Sequence, residues 1–402
     1  MLELEEAQRR ILSAVRPSSS ELIPLQLALG RIVADSATAA IDLPTFDNSA
    51  MDGYAVRAED LAHSSPERPV PLRLIGRVAA GEASRDSVEP GACVRLFTGS
   101  PLPCGADAVV MQEDVRLVAS DPSVIVFPES IKPWENVRFR GEDLKRGASI
   151  TTAGEHLSAG QIALLASMGC REINVGARPV VGLVATGSEL REPGEALGPA
   201  QIYESNRTSL AALISRVGGT AVVFPLVGDE LSATRSVLER ALNECDVVVT
   251  SGGVSVGEFD LVKNAFEALG AELMFWRIAV KPGKPFVFGR WREKLLFGLP
   301  GNPVSALVTF LLLVRPALLR FQGAANVSLL THPAVMAEAL VNRGDRRHFM
   351  RVTVDGEGKI RSAGAQASHI FSSLAKANGL IDVPAETTLQ AGQTVSVLRW
   401  ET

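Results

Sequence analysis

The sequence has no cysteine pattern of the kind that holds a metal or a disulfide framework. Its four cysteines, Cys93, Cys104, Cys170 and Cys245, lie far apart and form no CxxC pair, which fits a reducing cytoplasm. The five histidines have no ligand spacing and read as structural. Basic charge is not in excess either. A formal net charge of −5 speaks against a dominating nucleic-acid surface and leaves room only for a local basic pocket. Walker, Gly-x-Ser-x-Gly and dinucleotide fingerprints are missing, as are repeats and low-complexity tracts. The first residues, MLELEEAQRR, are charged and lack the apolar region of a signal peptide, so a cytoplasmic protein is expected. The longest apolar run, Val304–Val314, is short for a bilayer and is followed by Arg315-Pro316. It predicts a core helix and no membrane span.

What is there suffices for several cores. The 402 residues, 46% of them hydrophobic, suggest roughly two to four domains. Residues 2–15 place Leu4, Ile11, Leu12 and Val15 at helical spacing among charges, which predicts a surface helix. From Ile41 prolines and glycines multiply, and the apolar stretches shorten to Pro71–Ala79, Ala92–Phe97, Asp107–Met111 and Ser123–Phe127. These predict a strand-rich region closing near Gly141. Ser158 and Gln161 have capping-box spacing ahead of a helical run that ends at Gly169.

Residues 176–322 read most clearly. Val180–Ala185, Thr220–Val227, Asp246–Thr250, Ala271–Val280, Phe286–Phe288 and Leu295–Gly298 have strand character. Helices are expected from Ser205 or Asn206 to Val217, over Leu231–Leu242 and Phe259–Leu269, and from about Pro303. Such alternation predicts a doubly wound, mostly parallel sheet, whose ligands bind outside the carboxyl ends of the strands. Thr186–Glu189, Gly228–Asp229, Thr250–Asp260, Lys281–Pro285 and Leu299–Ser305 all follow strands and should converge there. Near the end, Arg347–Val354 and Thr394–Leu398 alternate, and Asp355–Gly358 is a hairpin turn, which predicts a small β-barrel or sandwich. The expected class is multidomain α/β. Residues 1–40 with 145–175 form a discontinuous helical domain, and 41–144 an inserted β-rich domain. Residues 176–322 form the doubly wound domain, and 323–402 a C-terminal β domain.

The densest chemistry lies in DVVVTSGGVSVGEFD, Asp246–Asp260, where a buried strand runs into Ser251-Gly252-Gly253 and then a helix start. That arrangement binds phosphate or another oxyanion, because open amides and the helix dipole both favour negative charge. Glu258 and Asp260 beside an anion site make sense with a divalent cation between them and the anion. In KPGKP, Lys281 and Lys284 are stiffened by Pro282 and Pro285, a rigid ammonium pair suited to an oxyanion. LPGNPVS sets Pro303 at a helix start, with Asn302 or Ser305 offering a side-chain hydrogen bond. In PTFDNSAMDGYA, Asp52 lies in a polar loop, although Asp52-Gly53 is also an ordinary turn signal. Asp143, Glu189 and Asp229 are scattered acids, each alone as readily a cap or surface residue, and Thr98 is a weaker signal still.

Taken together, eight motifs resemble the molybdopterin molybdenumtransferase family, which includes bacterial MoeA and the E domain of gephyrin. They are PTFDNSAMDGYAV, LFTGSPLPCGADAVVMQED, NVRFRGED, TGSEL, TSGGVSVGEFD, KPGKPFVFG, LPGNPVSA and SHIFSSLAKANGLI, in the family's order over essentially the whole chain. The resemblance implies the final step of molybdenum cofactor biosynthesis. Adenylylated molybdopterin and molybdate are the substrates, AMP is released with magnesium as cofactor, and molybdenum is left on the dithiolene sulfurs. It implies a homodimer of four-domain subunits. The third domain would resemble the molybdopterin adenylyltransferase fold, and the active cleft would be shared with the inserted β domain of the partner subunit. The adenylyltransferase and molybdoenzyme chaperones are further implied partners, with no nucleic acid and no membrane.

The same resemblance implies roles for residues. Asp52, Asp143, Asp229, Lys281 and Lys284 would be catalytic, and Glu189, Asp229 and Asp260 would hold the metal. Substrate contacts would come from Thr98 on one side and from Ser251, Gly252, Gly253 and Asp260 on the other. Pro285, Pro300, Asn302, Pro303 and Ser305 would add to these, with Arg346 and Ser368 from the last domain. Ser188 stands where many relatives carry aspartate. Magnesium keeps several waters and takes one or two carboxylates, so not every acid named is a direct ligand. Two alternatives belong to other classes: an interaction scaffold like the gephyrin E domain, and a nucleotide pyrophosphatase on the same sheet. The full acid and lysine set favours catalysis over the first. The PTFDNSAMDGYA loop and the C-terminal β domain speak against the second.

Overall fold

The computed structural model describes residues 1–82, 87–253 and 261–400. The chain divides into two compact units. Residues 1–35, 152–162 and 171–402 form the first, and 36–151 with 163–170 the second.

The first unit is built on a six-stranded sheet. Its order is Thr220–Val223, Val180–Ala185, Val247–Ser251, Lys294–Leu299, Val287–Trp291, Glu272–Trp276. The first four strands are parallel. Alternation sorts the central strand between two helical layers. Val247 and Val249 pack in the core that holds Leu210, Ile214 and Leu313, whereas Val248 packs with Leu238, Ala241 and Phe266. All three valines are fully buried, which is why this strand reads as an unbroken apolar run. The far edge is antiparallel. Only Arg292-Glu293 separates Val287–Trp291 from Lys294–Leu299, and so short a link permits a hairpin but no crossover. The single strand expected over Ala271–Val280 is broken at Arg277, whose φ is 118. Beyond it, Val280–Lys281 leaves this sheet and pairs in parallel with Arg347–His348.

The helical segment Pro303–Phe321 is 19 residues long with a mean hydropathy of 1.8, and it is mostly buried in this unit. The helix thus continues past Pro316, beyond the apolar run Val304–Val314. Proline lacks the N–H that would reach the Leu312 carbonyl, four residues back, and its ring crowds that carbonyl. The helix widens to a π turn over Phe310–Val314, and Gln8 Nε2 donates to the Leu312 carbonyl at 3.0 Å. Gln8 lies on the helix Leu4–Ala14, and Leu4, Ala7 and Ile11 are buried in the same core. The expected surface helix is therefore amphipathic and docked, with Glu6, Arg9 and Arg10 paired on its outer face. Ser20–Pro24 pairs with Glu172–Gly176. The capping box forms as read: Gln161 N donates to Ser158 Oγ at 3.3 Å and Ser158 N to Gln161 Oε1 at 2.9 Å.

Toward the C-terminus, Arg347–Val354, Lys359–Ser362, Leu330–Met336, Thr394–Arg399 and Gly379–Val383 pair in that order. The last strand also pairs with the first, closing a barrel around Val352, Ile360, Ile381 and Val397. Its Asp355–Gly358 hairpin is held by Asp355 Oδ1, which accepts from Glu357 N at 3.0 Å and Lys359 N at 2.9 Å. The second unit carries its own six-stranded sheet. The order is Ala108–Met111, Gly53–Val56, Ala92–Leu96, Val70–Val78, Val124–Phe127, Arg116–Leu117.

Candidate active site

The loops that follow the parallel strands enclose a cleft of about 560 Å³ at the carboxyl edge of the sheet. It is lined by Thr186, Gly187 and Glu189, by Asp229, by Gly252 and Gly253, by Pro285, and by Pro300, Gly301 and Asn302. All five loops expected to converge thus contribute described residues to the cleft, the twin-lysine loop through Pro285. Asp260 and Glu258 lie outside the described residues.

The glycine turn has no room for side chains. Gly252 has φ 87, and a Cβ there would lie 2.5 Å from the Thr186 carbonyl oxygen. A Cβ on Gly253, at φ 66, would meet Thr186 Oγ1 at 2.7 Å and Val262 Cγ2 at 2.8 Å. Ser251 is the last residue of its strand and is buried; its hydroxyl accepts from Asn206 Nδ2 at 2.6 Å. What the triplet presents to the cleft is therefore its two glycines and not the serine side chain. The Gly252 N–H is also committed, to the Leu299 carbonyl at 3.2 Å. The acids are held by their own loops. Ser188 N donates to Asp229 Oδ2 and Asp229 N to Ser188 Oγ, each at 3.0 Å. Among the described residues there is no group of three metal-ligating side chains. Glu189 and Asp229 make a two-carboxylate wall, which matches a magnesium ion that keeps most of its waters.

The twin-lysine loop is anchored on two sides. Gly283 has φ 123 and a Cβ there would lie 2.4 Å from Thr309 Cγ2, so the loop presses on the long helix. Ile278 N donates to the Lys284 carbonyl at 3.2 Å, and Arg346 Nη1 to the Val280 carbonyl at 3.1 Å. Lys281 and Lys284 are exposed while Pro282 and Gly283 between them are buried. Asn302 precedes the helix but does not cap it. Its Nδ2 donates to Ser368 Oγ at 3.2 Å, and Val304 N donates to the Ser368 carbonyl at 3.2 Å. Ser305 is buried one turn inside, behind Pro303 at the helix start. On the second unit, Asp52 Oδ1 accepts from Thr98 N at 2.7 Å and from Thr98 Oγ1 at 2.8 Å. The backbone donor first, then the hydroxyl, hold Asp52 below the usual carboxylate range, so it stays ionised. Asp143 is exposed, and its N–H donates to the Leu43 carbonyl at 3.1 Å.

Three family descriptions match this chain in order. They are the MoeA N-terminal region (domain I and II) over residues 2–169, the probable molybdopterin binding domain over 182–320, and the MoeA C-terminal region (domain IV) over 333–400. The molybdopterin molybdenumtransferase of Haemophilus influenzae is 38% identical over 404 residues, covering 99% of this chain and 98% of that protein. The chain belongs to the molybdopterin molybdenumtransferase family. The Bacillus subtilis member is 34% identical over 402 residues, covering 99% and 94% of the two chains. Two solved structures of molybdopterin biosynthesis MoeA protein from Pyrococcus horikoshii are 34% and 30% identical. They superpose with TM-scores of 0.86 and 0.85 over the whole of both chains. The fold is accordingly the MoeA-type multidomain α/β fold, and the protein is an enzyme of molybdenum cofactor biosynthesis.

In this molybdenumtransferase three supporting residues carry no motif that sequence reading could seize. Asn206, expected only as a helix cap, donates from Nδ2 to both Ser251 Oγ and the Gly301 carbonyl, the latter at 2.8 Å, and so ties two cleft loops together. Arg207, buried beside it, donates to both oxygens of Glu192 at 2.8 Å and to Glu204 Oε2 at 3.0 Å, bracing the segment that follows Glu189. Arg351 is fully buried in the barrel, where Nε donates to Ser373 Oγ at 2.9 Å and Nη2 to the Ala365 carbonyl at 2.8 Å. It thereby fixes the segment that carries Ser368. Long charged side chains look like surface in a sequence; only their partners reveal the brace.

His348 sits opposite Lys281 in the strand register and is 3% exposed, with Nε2 unpartnered. Burial, then the charges of Lys281, Arg351 and Arg346, push its pKa down to about 4 from 6.5. The folded state disfavours the proton that the unfolded chain accepts. Stability is therefore full above about pH 6.5 and declines as pH falls toward about 4, where it levels off. The expected loss over that window is at most roughly 3 kcal/mol. Denaturation of the His348→Gln variant, followed from pH 7 to 4, should show a shallower slope than the parent; equal slopes remove His348 from the account.

Proposed function

We propose that this protein inserts molybdenum from molybdate into adenylylated molybdopterin with release of AMP, and that it works as a magnesium-dependent homodimer. The observation that carries the reading is one cleft bounded by the diglycine turn, the Glu189 and Asp229 carboxylates, and the Pro285 end of the twin-lysine loop. Breaking a phosphoric anhydride requires neutralising charge on both phosphates while excluding stray solvent. Gly252 and Gly253 let the phosphates approach the backbone, since any side chain there would collide with Thr186. Lys281 and Lys284 are the cations for the tetrahedral molybdate dianion, with Arg346 and Ser368 brought in from the barrel. Bound magnesium supplies Lewis-acid neutralisation of phosphate oxygens, held by Glu189 and Asp229. Asp52, already ionised and oriented by Thr98, is assigned to the same reaction.

The test is direct. The protein is incubated with adenylylated molybdopterin, molybdate and magnesium, and AMP and active cofactor are both measured. The two should appear together. AMP without cofactor would instead mark a hydrolase on this sheet, and neither product would mark a scaffold. Asp52→Ala is expected to abolish cofactor formation while leaving the melting transition in place.

A further inference from the structure

A second cavity, of about 380 Å³, lies at the other edge of the same sheet. Its wall includes Arg178, two residues ahead of the strand Val180–Ala185, and Val217-Gly218, just ahead of Thr220–Val223. These strands are parallel, so this is the amino edge, whereas the cleft described above takes the carboxyl edge. Arg31, Arg178, Arg216, Arg315 and Arg399 all line it, and no aspartate or glutamate is among the described lining residues. Trp400 adds an aromatic side.

Such a concentration of one charge needs an explanation. Arg31 has one carboxylate partner, Glu21, through Nη2, which also donates to the Gly176 carbonyl at 2.8 Å. Its Nε is buried without a partner although the residue is only 6% exposed. Arg399 Nε is likewise buried and unpartnered. Arg315 Nη1 donates to the Val327 carbonyl at 2.9 Å, and burial lowers its pKa. The arginines are not required as caps for the helix Asn206–Arg216, which ends at this wall. Val217 N reaches the Ile214 carbonyl at 3.2 Å, Gly218 N the Ser215 carbonyl at 3.0 Å, and Gln322 Nε2 the Val217 carbonyl at 2.8 Å. Guanidinium groups are planar forks that match phosphate oxygens two at a time.

We propose that this cavity is a second anion site, separate from the cleft, which binds a small phosphate-bearing molecule. The inference does not rest on the proposed reaction, and its test avoids turnover. Pyrophosphate and AMP are each titrated by calorimetry into Lys281→Ala/Lys284→Ala protein without added metal, so that binding at the cleft lysines is removed. Binding should remain, and should weaken as salt is raised. Adding Arg178→Glu, an exposed change that spares the core, should weaken it at least about tenfold, and Arg399→Gln separately should do the same. If AMP binds more tightly than pyrophosphate, the ligand is an organic phosphate; if both bind alike, the phosphate alone is recognised. No binding in the lysine variant, or binding indifferent to both arginine changes, would overturn the proposal and leave the arginines a structural role alone.

Discussion

Lys281→Ala should lower molybdenum insertion by about 10²–10³-fold, the usual effect of removing one preorganised group that meets a reacting anion. The folded state should hardly notice. Lys281 is exposed, and its loop is fixed by the Gly283 contact to Thr309 and by the Arg346 bond to the Val280 carbonyl, neither of which involves its ammonium. Stability should therefore stay within about 0.5 kcal/mol of the parent. Steady-state cofactor formation and a chemical denaturation curve, measured on the same preparation, separate the two effects. Cofactor output at the parent rate would remove Lys281 from the site. A large stability loss would mean that the loop depends on the ammonium.

The second large effect is expected from Gly252→Ala, which combines two costs. A non-glycine residue at φ 87 carries backbone strain of roughly 1–3 kcal/mol, and the new Cβ would lie 2.5 Å from the Thr186 carbonyl. Thr186 N itself donates to the Ser251 carbonyl at 3.1 Å, so the neighbouring loop cannot retreat without breaking its own anchor. Displacement of a cleft wall by about 1 Å is enough for a loss near 10²-fold in turnover. Gly270→Ala is the control. Its φ of 74 is similar, but nothing lies within 4 Å of the new Cβ, so it should show the backbone strain alone. Equal activity of the two variants would mean that the close approach at Gly252 is unimportant.

Much of this could be read from residue order. Val247–Val249 had to be a strand covered on both faces, because three consecutive β-branched residues leave no polar side to turn outward. Ser158 and Gln161 announced a helix start because their reciprocal bond spans only three residues. Asp355–Gly358 announced a hairpin for the same reason of short range. Convergence of Glu189, Asp229 and the glycine turn followed from a general rule of parallel sheets and needed no knowledge of their contacts.

Other features depended on where distant segments meet. Local pattern did not foretell that Gln8 would satisfy a carbonyl freed by Pro316, or that Ser251 would turn its hydroxyl toward Asn206. Nor did it show that Arg277 would break a strand and send Val280–Lys281 to the barrel. The arginine cavity is the extreme case, assembled from residues as far apart in the chain as Arg31 and Arg399. Periodicity and turn chemistry act over a few residues and so specify backbone locally. The partner of a long polar side chain is chosen by the path of the whole chain, which no short window contains.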